Sequence, residues 1–392
     1  MLRVIHVITD LDTGGAETML LKVAAGLKEK GVQQWIVSLR QDGTIKKHLE
    51  NCGIEVVSLD LSHLLYIVRD ISVFVSMLRR CRPHVVQGWM YHGNFMSLVA
   101  KLVCPRAKIV WNVRQAMGNF AKEKWSTRII VRVCGLLSLI PAAVIYNSCV
   151  SSTQHEKKAH YANKRSMVIP NGFDTSVYCP SKTIGSDARE LLGIPKSAFV
   201  FGHVARFHAV KGQSIFLRAA RDFAREVDRV FFVMVGTNIT PDNSELQPLS
   251  EALVTSRKLF MLGERHDMPN IYRMFDAFCL SSMNEGFPNT VGEAMSCEVP
   301  CIVTDVGDCR SIVGDSGYIV KPGDERGLGR ILRLLYMMPV ADREELGKRA
   351  RARVLESYSL ESVIFRYRQL YTAMRENVPL ENLREWNMRE RS

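Results

Sequence analysis

Short β-branched runs alternate with helix-periodic stretches along almost the whole chain, and the alternation starts afresh near the middle. Candidate strands over 4–9, 35–39, 54–59, 85–88, 108–113, 144–147 and 167–169 are interleaved with amphipathic segments. One of these carries Met19, Leu20, Val23, Ala24 and Leu27 at helical spacing. Strands that alternate with helices pair in parallel, with helices covering both faces, so this half reads as a doubly wound α/β sheet. The second half repeats the pattern, with strands expected over 199–204, 230–235, 258–262, 277–280, 300–304 and 318–320. Its helices are expected near 213–225, 268–274, 291–296, 328–337 and 342–356.

Pro170-Asn171-Gly172-Phe173-Asp174 is a turn signal, and 180–186 is polar with Pro180 and Gly185. The boundary is therefore expected between a first domain over 1–180 and a second over 181–358. A last helix over 359–375 is expected to return to the first domain, ahead of a polar tail over 376–392. A length of 392 residues exceeds what one core usually spans, and two Rossmann-like domains accommodate it. Such domains would face each other across a cleft, with the loops at the carboxyl ends of their strands pointing into it.

With 47% apolar and 23% charged residues, the chain has an ordinary globular composition. No run of about 20 uncharged apolar residues occurs, so no transmembrane helix is expected. The apolar start of the chain is interrupted by Asp10 and Asp12 and reads as a first strand rather than an export signal. Ten cysteines without a CxxC pair then read as reduced, buried thiols. The expected location is the cytoplasm, with a peripheral position on the inner face of the cytoplasmic membrane as an option.

The net charge of +12 is concentrated: between Arg79 and Arg165 stand fifteen Lys or Arg residues against only Glu123 and Glu156. Surfaces of this kind suit nucleic acid, anionic lipid or diphosphate-bearing substrates. The segment lacks interleaved aromatics or a helix-turn-helix pattern, so no nucleic-acid partner is expected. An anionic membrane surface or a lipid-linked acceptor fits better, with a merely solvated face as the plain alternative.

The stretch from Ser281 to Met295 follows an expected strand and opens a helix near Thr290. Two carboxylates, Glu285 and Glu293, flank a loop of Gly286, Phe287, Pro288 and Asn289. Free N–H groups and the helix dipole favour an anion such as a diphosphate there. A carboxylate beside that anion is placed to accept sugar hydroxyls, Glu285 from the transferred sugar and Glu293 from the ribose. Thr290-Val291-Gly292-Glu293 also fits a capping box, in which Glu293 merely returns to the Thr290 backbone. Arg206 and Lys211 stand just after the strand that opens the second domain, where two cations suit a leaving diphosphate.

In the first domain, Asp12-Thr13-Gly14-Gly15-Ala16-Glu17-Thr18 joins the first strand to the first helix. Its paired glycines permit close backbone approach, although a plain tight turn uses the same residues. It is not a G-x-G-x-x-G fingerprint, which argues against a nicotinamide or flavin dinucleotide. Trp89, Tyr91 and His92 lie just after a strand. The two rings either stack on a sugar or fill the core. Asn112 and Arg114 end the next strand as a polar edge, with Arg114 a candidate for an acceptor phosphate. Asn147-Ser148 ends the following strand in the same way, as a polar edge, and the Asn171-to-Asp174 turn reads as mainly structural.

Glu285-Gly286-Phe287-Pro288 followed by Gly292-Glu293-Ala294-Met295 resembles the signature of glycosyltransferase family 4, two glutamates separated by seven residues. The resemblance runs from Val4 to about Tyr371. It implies the GT-B architecture, an acceptor-binding first domain, a donor-binding second domain and retention of anomeric configuration. It further implies that Arg206 and Lys211 hold the donor diphosphate, that the Gly14-Gly15 loop lies against donor phosphates and acceptor, and that His92 hydrogen-bonds the donor sugar near the reacting carbon. The stretch from Trp89 to Asn94 resembles bacterial enzymes that build capsule, O-antigen or related polysaccharides on a polyprenyl-diphosphate carrier. A nucleotide-diphosphate sugar, most naturally a UDP-sugar, is then the donor and a glycan or lipid-linked glycan the acceptor.

No first-domain carboxylate stands out as a nucleophile, which agrees with the front-face mechanism usually assigned to the family. Arg206 and Lys211 would supply the positive charge, so no metal and no cofactor are expected. Three other readings compete: a nucleotide-sugar epimerase or phosphorylase of the same architecture, a catalytically silent nucleotide-sugar binder, and a nucleic-acid binder. Acceptor-independent turnover would mark the first and nucleotide binding without transfer the second. Nucleic-acid affinity that survives physiological salt would mark the third.

Overall fold

The computed structural model describes residues 1–12, 14–40, 43–61, 66–118, 120 and 124–383. Thr13 of the glycine loop, Glu123 of the basic segment and positions 384–392 of the polar tail lie outside the described residues. The chain forms two compact units, one of Met1–Gly172 with Leu360–Ser392 and one of Phe173–Ser359.

The first unit holds β1 (Arg3–Ile8), β2 (Gln33–Ser38), β3 (Glu55–Ser58), β4 (Val85–Trp89), β5 (Lys108–Val113), β6 (Ala143–Tyr146) and β7 (Ser166–Val168). They pair in the order β3-β2-β1-β4-β5-β6-β7, every pair parallel. The second unit holds β8 (Phe199–Val204), β9 (Val230–Val235), β10 (Leu259–Met261), β11 (Ala277–Leu280), β12 (Cys301–Thr304) and β13 (Gly317–Val320). Their order, β10-β9-β8-β11-β12-β13, is also parallel throughout. The expected α/β class and Rossmann-like doubling are thus the observed ones.

The pleat explains why the central strands are apolar on both faces. In β1, Val4 and Ile8 enter one core while Ile5 and Val7 enter another. In β8, Val200 and Val204 part in the same way from Phe199 and Phe201. In both sheets the strand order reverses direction beside the first strand, between β1 and β4 and between β8 and β11. The crevice outside the carboxyl ends at such a switch point is where open α/β sheets bind ligands.

The helix Leu360–Glu376 belongs to the first unit, as expected for a returning helix. Val363, Ile364, Tyr367, Leu370, Tyr371 and Met374 form its buried face, in the core that also receives Val4 and Ile8. Tyr371 Oη donates to Gln87 Oε1 at 2.5 Å, which pins that face to β4.

The chain passes between units at Gly172/Phe173, whereas the expected boundary lay at 180/181. The polar stretch read as a linker starts the helix Lys182–Leu191 instead. Ser181 caps it by accepting from the Ile184 N–H. Gly185 lies against the Arg273 carbonyl, where a Cβ would come within 2.2 Å. Among the described residues no helix is long and apolar enough to cross a membrane.

Candidate active site

The loops that follow β8 and β11 meet beside the switch point of the second sheet. Lys211 Nζ donates to both carboxylate oxygens of Glu285, at 2.7 and 2.9 Å, and Ser282 Oγ donates to Oε1 at 2.7 Å. The Lys211 side chain is 23% exposed and that of Glu285 only 8%, so these charge-assisted bonds are largely shielded from water. A carboxylate has about four lone-pair sites and an ammonium three N–H donors. One acceptor site on Glu285 and one donor on Lys211 therefore remain for a ligand.

Local geometry explains why the pair forms. Ser281 Oγ donates to the Gly212 carbonyl at 2.8 Å, and the Met283 N–H donates to the Val210 carbonyl at 2.7 Å. Gly212 has φ 65°, and a Cβ there would sit 2.0 Å from the Ser281 carbonyl oxygen. Both the left-handed backbone and the close approach require glycine. Thr304 Oγ1 donates to the Ser282 carbonyl at 2.6 Å, and the Asp308 N–H to the Gly286 carbonyl at 2.9 Å, which ties in the loop after β12. Arg206 is exposed, and its guanidinium has no ion pair among the described residues.

The helix after the Glu285 loop runs over Asn289–Ser296 with Pro288 as its N-cap. Thr290 therefore lies inside the helix, and the capping-box geometry considered for Glu293 does not form. Glu293 Oε2 instead accepts from the buried Tyr272 Oη at 2.8 Å. Burial and the charge of Glu293 push the Tyr272 pKa well above its usual value, so the phenol stays a donor. Phe287 stacks on Phe173 with centroids 6.2 Å apart, and a Cβ at Gly292 would meet the Phe173 ring at 2.1 Å. Those two signature residues thus pack the Phe173 turn. Gly286, Asn289 and Thr290 remain at the loop and the first helical turn, the place where the positive end of a helix favours an anion.

In the first unit, the loops after β1 and β4 flank the other switch point. Met90 has φ 59°, uncommon for a residue with a side chain, and turns the chain from β4 directly into the helix Met90–Ser97. His92 is exposed on that helix. Partial desolvation, and then the charge of Arg40, keep its pKa below the usual imidazole value, so the ring is neutral at pH 7. Gly14 is the N-cap of the first helix, and the Glu17 carboxylate occupies the space a Cβ there would need, 2.2 Å away. Burial, and then Asp10 and Asp12, raise the pKa of Glu17. Among the described residues a Cβ at Gly15 would meet nothing within 4 Å, so none of them demands glycine there. Asp10-Leu11-Asp12 has Asp-x-Asp spacing, which the metal-free expectation leaves out of account. Asp10 lies 4.0 Å from Arg40.

Trp89 and Tyr91 are buried, which settles their two readings in favour of the core. Trp89 Nε1 donates to His6 Nδ1 at 3.1 Å and the ring stacks on Tyr367. Tyr91 Oη lies 2.9 Å from His155 Nε2. With their polar atoms engaged inside, neither ring presents a face to a sugar. Asn112 is also buried, its Nδ2 donating to Tyr367 Oη at 2.8 Å, so it supports the site rather than lining it. Arg114 Nη1 donates to the same phenol at 3.0 Å, and Nη2 donates to Asn171 Oδ1. Burial lowers its pKa. Among the described residues Arg114 has no carboxylate partner, so a half-buried cation is held by neutral acceptors alone.

Asp174 Oδ1 accepts from the Ser176 N–H, a structural role as expected, whereas Ser148, read as part of a polar edge, caps the helix Cys149–Ala159 by accepting from the Ser151 N–H. Ser282, Tyr272 and Tyr367 were not singled out in the sequence. Ser282 stands three residues before Glu285 and was accessible to loop reasoning. Tyr367 touches Arg114 across 253 positions, and no local pattern marks it.

Residues 186–353 match the family described as glycosyl transferases group 1, and residues 13–177 the family described as glycosyltransferase family 4. EpsF of Bacillus subtilis (strain 168), which carries a glycosyltransferase designation, is 24% identical over 363 residues, covering 89% of this chain and 88% of that protein. A UDP-Gal:alpha-D-GlcNAc-diphosphoundecaprenol alpha-1,3-galactosyltransferase of Escherichia coli is 22% identical over 327 residues, 79% of this chain and 84% of its own length. The fold is similar to that of Anabaena Alr3699/HepE in complex with UDP, with TM-score 0.81 and 21% identity, covering 95% of this chain and 100% of that one.

Proposed function

The chain belongs to glycosyltransferase family 4 and is a glycosyltransferase, and from that premise we propose a retaining transfer of a sugar from a UDP-sugar to a glycan hydroxyl. We place the acceptor on a polyprenyl-diphosphate carrier, in bacterial surface polysaccharide assembly. The observation that carries the donor half is the Lys211–Glu285 pair at the switch point of the second sheet, with one donor and one acceptor position left over. The ammonium and Arg206 take the diphosphate, and the carboxylate takes a hydroxyl of the transferred sugar. The bond from the anomeric carbon to the diphosphate oxygen breaks, and the acceptor oxygen bonds to the same face. The acceptor proton goes to the departing phosphate, so no carboxylate nucleophile is used.

The acceptor half rests on Arg114, a half-buried cation whose hydrogen-bond partners are neutral, for which a phosphate is the natural counter-charge. The relative that acts on a diphosphoundecaprenol-linked sugar supports this reading, and the fold relative in complex with UDP supports the donor base.

A thermal-shift series with UDP, GDP and ADP tests the donor. UDP at a hundred times its Kd stabilises by about 2.7 kcal/mol, and the other bases do less. Stabilisation by GDP or ADP alone would reassign the base, and none at all would remove the donor site. Transfer should also persist in a chelator, since Arg206 and Lys211 carry the positive charge. Loss of activity in EDTA, restored by a divalent ion, would direct attention to Asp10 and Asp12.

Gly15 supplies a separate test. Among the described residues nothing occupies its side-chain space, so Gly15→Ala leaves the melting temperature unchanged or slightly higher. If that space admits a ligand, transfer falls at least about tenfold, or about 1.4 kcal/mol of barrier. Full turnover in this variant would free Gly15 from the site.

A further inference from the structure

The helix Trp125–Leu137 is apolar on its outer side as well as on its inner one. Its inner side buries Val131, Cys134 and Gly135. Its outer side presents Trp125, Ile129, Arg132 and Leu136, spaced four, three and four residues apart and therefore aligned in one stripe. Trp125 is 74% exposed, Ile129 51% and Leu136 77%, and the exposed Leu139 and Ile140 continue the apolar surface past the helix end. Single exposed apolar side chains are ordinary, but a contiguous patch of large ones marks an interaction surface.

Cations border the stripe. Lys124, Arg128 and Arg132 lie along it, and none of the three has an ion-pair partner among the described residues. Arg165 Nη1 donates to the Pro141 carbonyl at 2.6 Å, which sets a further cation beside Ile140. From Lys101 to Gln154 the sequence contains a single acidic residue, Glu123. A second copy of the chain docked stripe to stripe would bring Lys124, Arg128 and Arg132 against their own equivalents with almost no acid to neutralise them. An anionic bilayer surface satisfies both features, since its headgroups take the cations while the boundary of its acyl layer takes tryptophan and aliphatic side chains.

We propose that the helix Trp125–Leu137 and the turn after it form a docking surface for an anionic lipid bilayer, with the helix lying in the interface plane. The surface goes beyond the transfer reaction. It bears on the lipid-linked acceptor because it brings the enzyme to the layer that anchors such a molecule. Binding is measured without turnover, so the two readings can fail separately.

The full chain is sedimented with phosphatidylcholine vesicles and with vesicles that also contain phosphatidylglycerol, at low and at physiological salt. Binding is expected to require phosphatidylglycerol, to weaken with salt, and to blue-shift tryptophan emission. The triple variant Trp125→Ser/Ile129→Ser/Leu136→Ser should bind at least about tenfold more weakly and lose the blue shift. Its melting temperature and its thermal shift with UDP should match those of the parent. Lys124→Gln/Arg128→Gln/Arg132→Gln should lose the preference for phosphatidylglycerol. Absence of vesicle binding, or binding indifferent to both lipid charge and the triple serine variant, overturns the proposal. A dimer that the triple variant dissociates, without vesicle binding, assigns the stripe to a second copy and overturns it as well.

Discussion

Replacing Glu285 with glutamine lowers sugar transfer at least about a hundredfold, or about 2.7 kcal/mol of barrier, in a protein that remains folded. The substitution preserves shape and leaves Ser282 and Lys211 with an amide oxygen to bond, but removes the charge that fixes the ammonium. Lys211→Met should be as damaging, because it removes the cation from the leaving diphosphate. A purely structural ion pair makes a different forecast. Removing one partner of a shielded pair leaves the other charge uncompensated and is strongly destabilising, whereas removing both is often neutral. Under that alternative, Lys211→Met/Glu285→Gln recovers both melting temperature and turnover. Under the donor-site reading the double variant recovers stability and stays inactive. Steady-state kinetics beside thermal melts of the three variants decide between them, and near-normal turnover in either single variant removes that residue from the site.

Acidification should unfold the protein well before its carboxylates titrate in bulk. His6, His155 and His203 are fully buried, and burial pushes each pKa from 6.5 down to about 4. The unfolded chain takes up these protons near pH 6.5, while the folded chain resists until about pH 4. Within that window the unfolded state binds more protons, so stability rises with pH and is lost as pH falls. Above pH 7 the three rings are neutral in both states and contribute nothing to the slope. The full loss, reached near pH 4, is about 3 kcal/mol for each histidine.

Burial is what makes the rings resist a proton, and the hydrogen bonds fix the tautomer of the neutral ring. His6 Nδ1 accepts from the Trp89 indole, a donor only, so its Nε2 carries the proton toward Gln34 Oε1. His155 Nδ1 faces the Ser151 carbonyl at 2.8 Å and must be its donor. His203 Nδ1 is buried without a hydrogen-bond partner among the described residues. Denaturant melts between pH 7 and 5 should show proton uptake on unfolding that approaches three, with two of those protons belonging to the first unit. A flat profile over that range would mean that water reaches these rings.

The residues differ in how far their neighbours along the chain foretell their place. Arg206, Lys211 and Glu285 were legible because each stands just past an apolar run, and a chain leaving a buried strand must emerge at the sheet's carboxyl edge. Trp89 and Tyr91 stand in an equivalent place, at the end of β4 and just after it, yet point inward, where His6 and His155 meet their polar atoms. Those histidines lie 83 and 64 positions away. Arg114 was readable as a cation at a strand end, but not as one lacking a counter-charge, because that depends on Tyr367 and Asn171 coming to it.

The sequence by itself determined two parallel sheets, their strands and some of the helices between them, and the loops in which charged residues stand, because hydrophobic period and turn chemistry are local properties of the chain. Only the tertiary structure decided that Lys211 meets Glu285, that Glu293 answers Tyr272 rather than its own helix cap, and that Trp125, Ile129 and Leu136 are left on the outer side of their helix. Each of these depends on which strands become neighbours and which face of a helix finds a core, and those are set by packing between segments far apart in the chain.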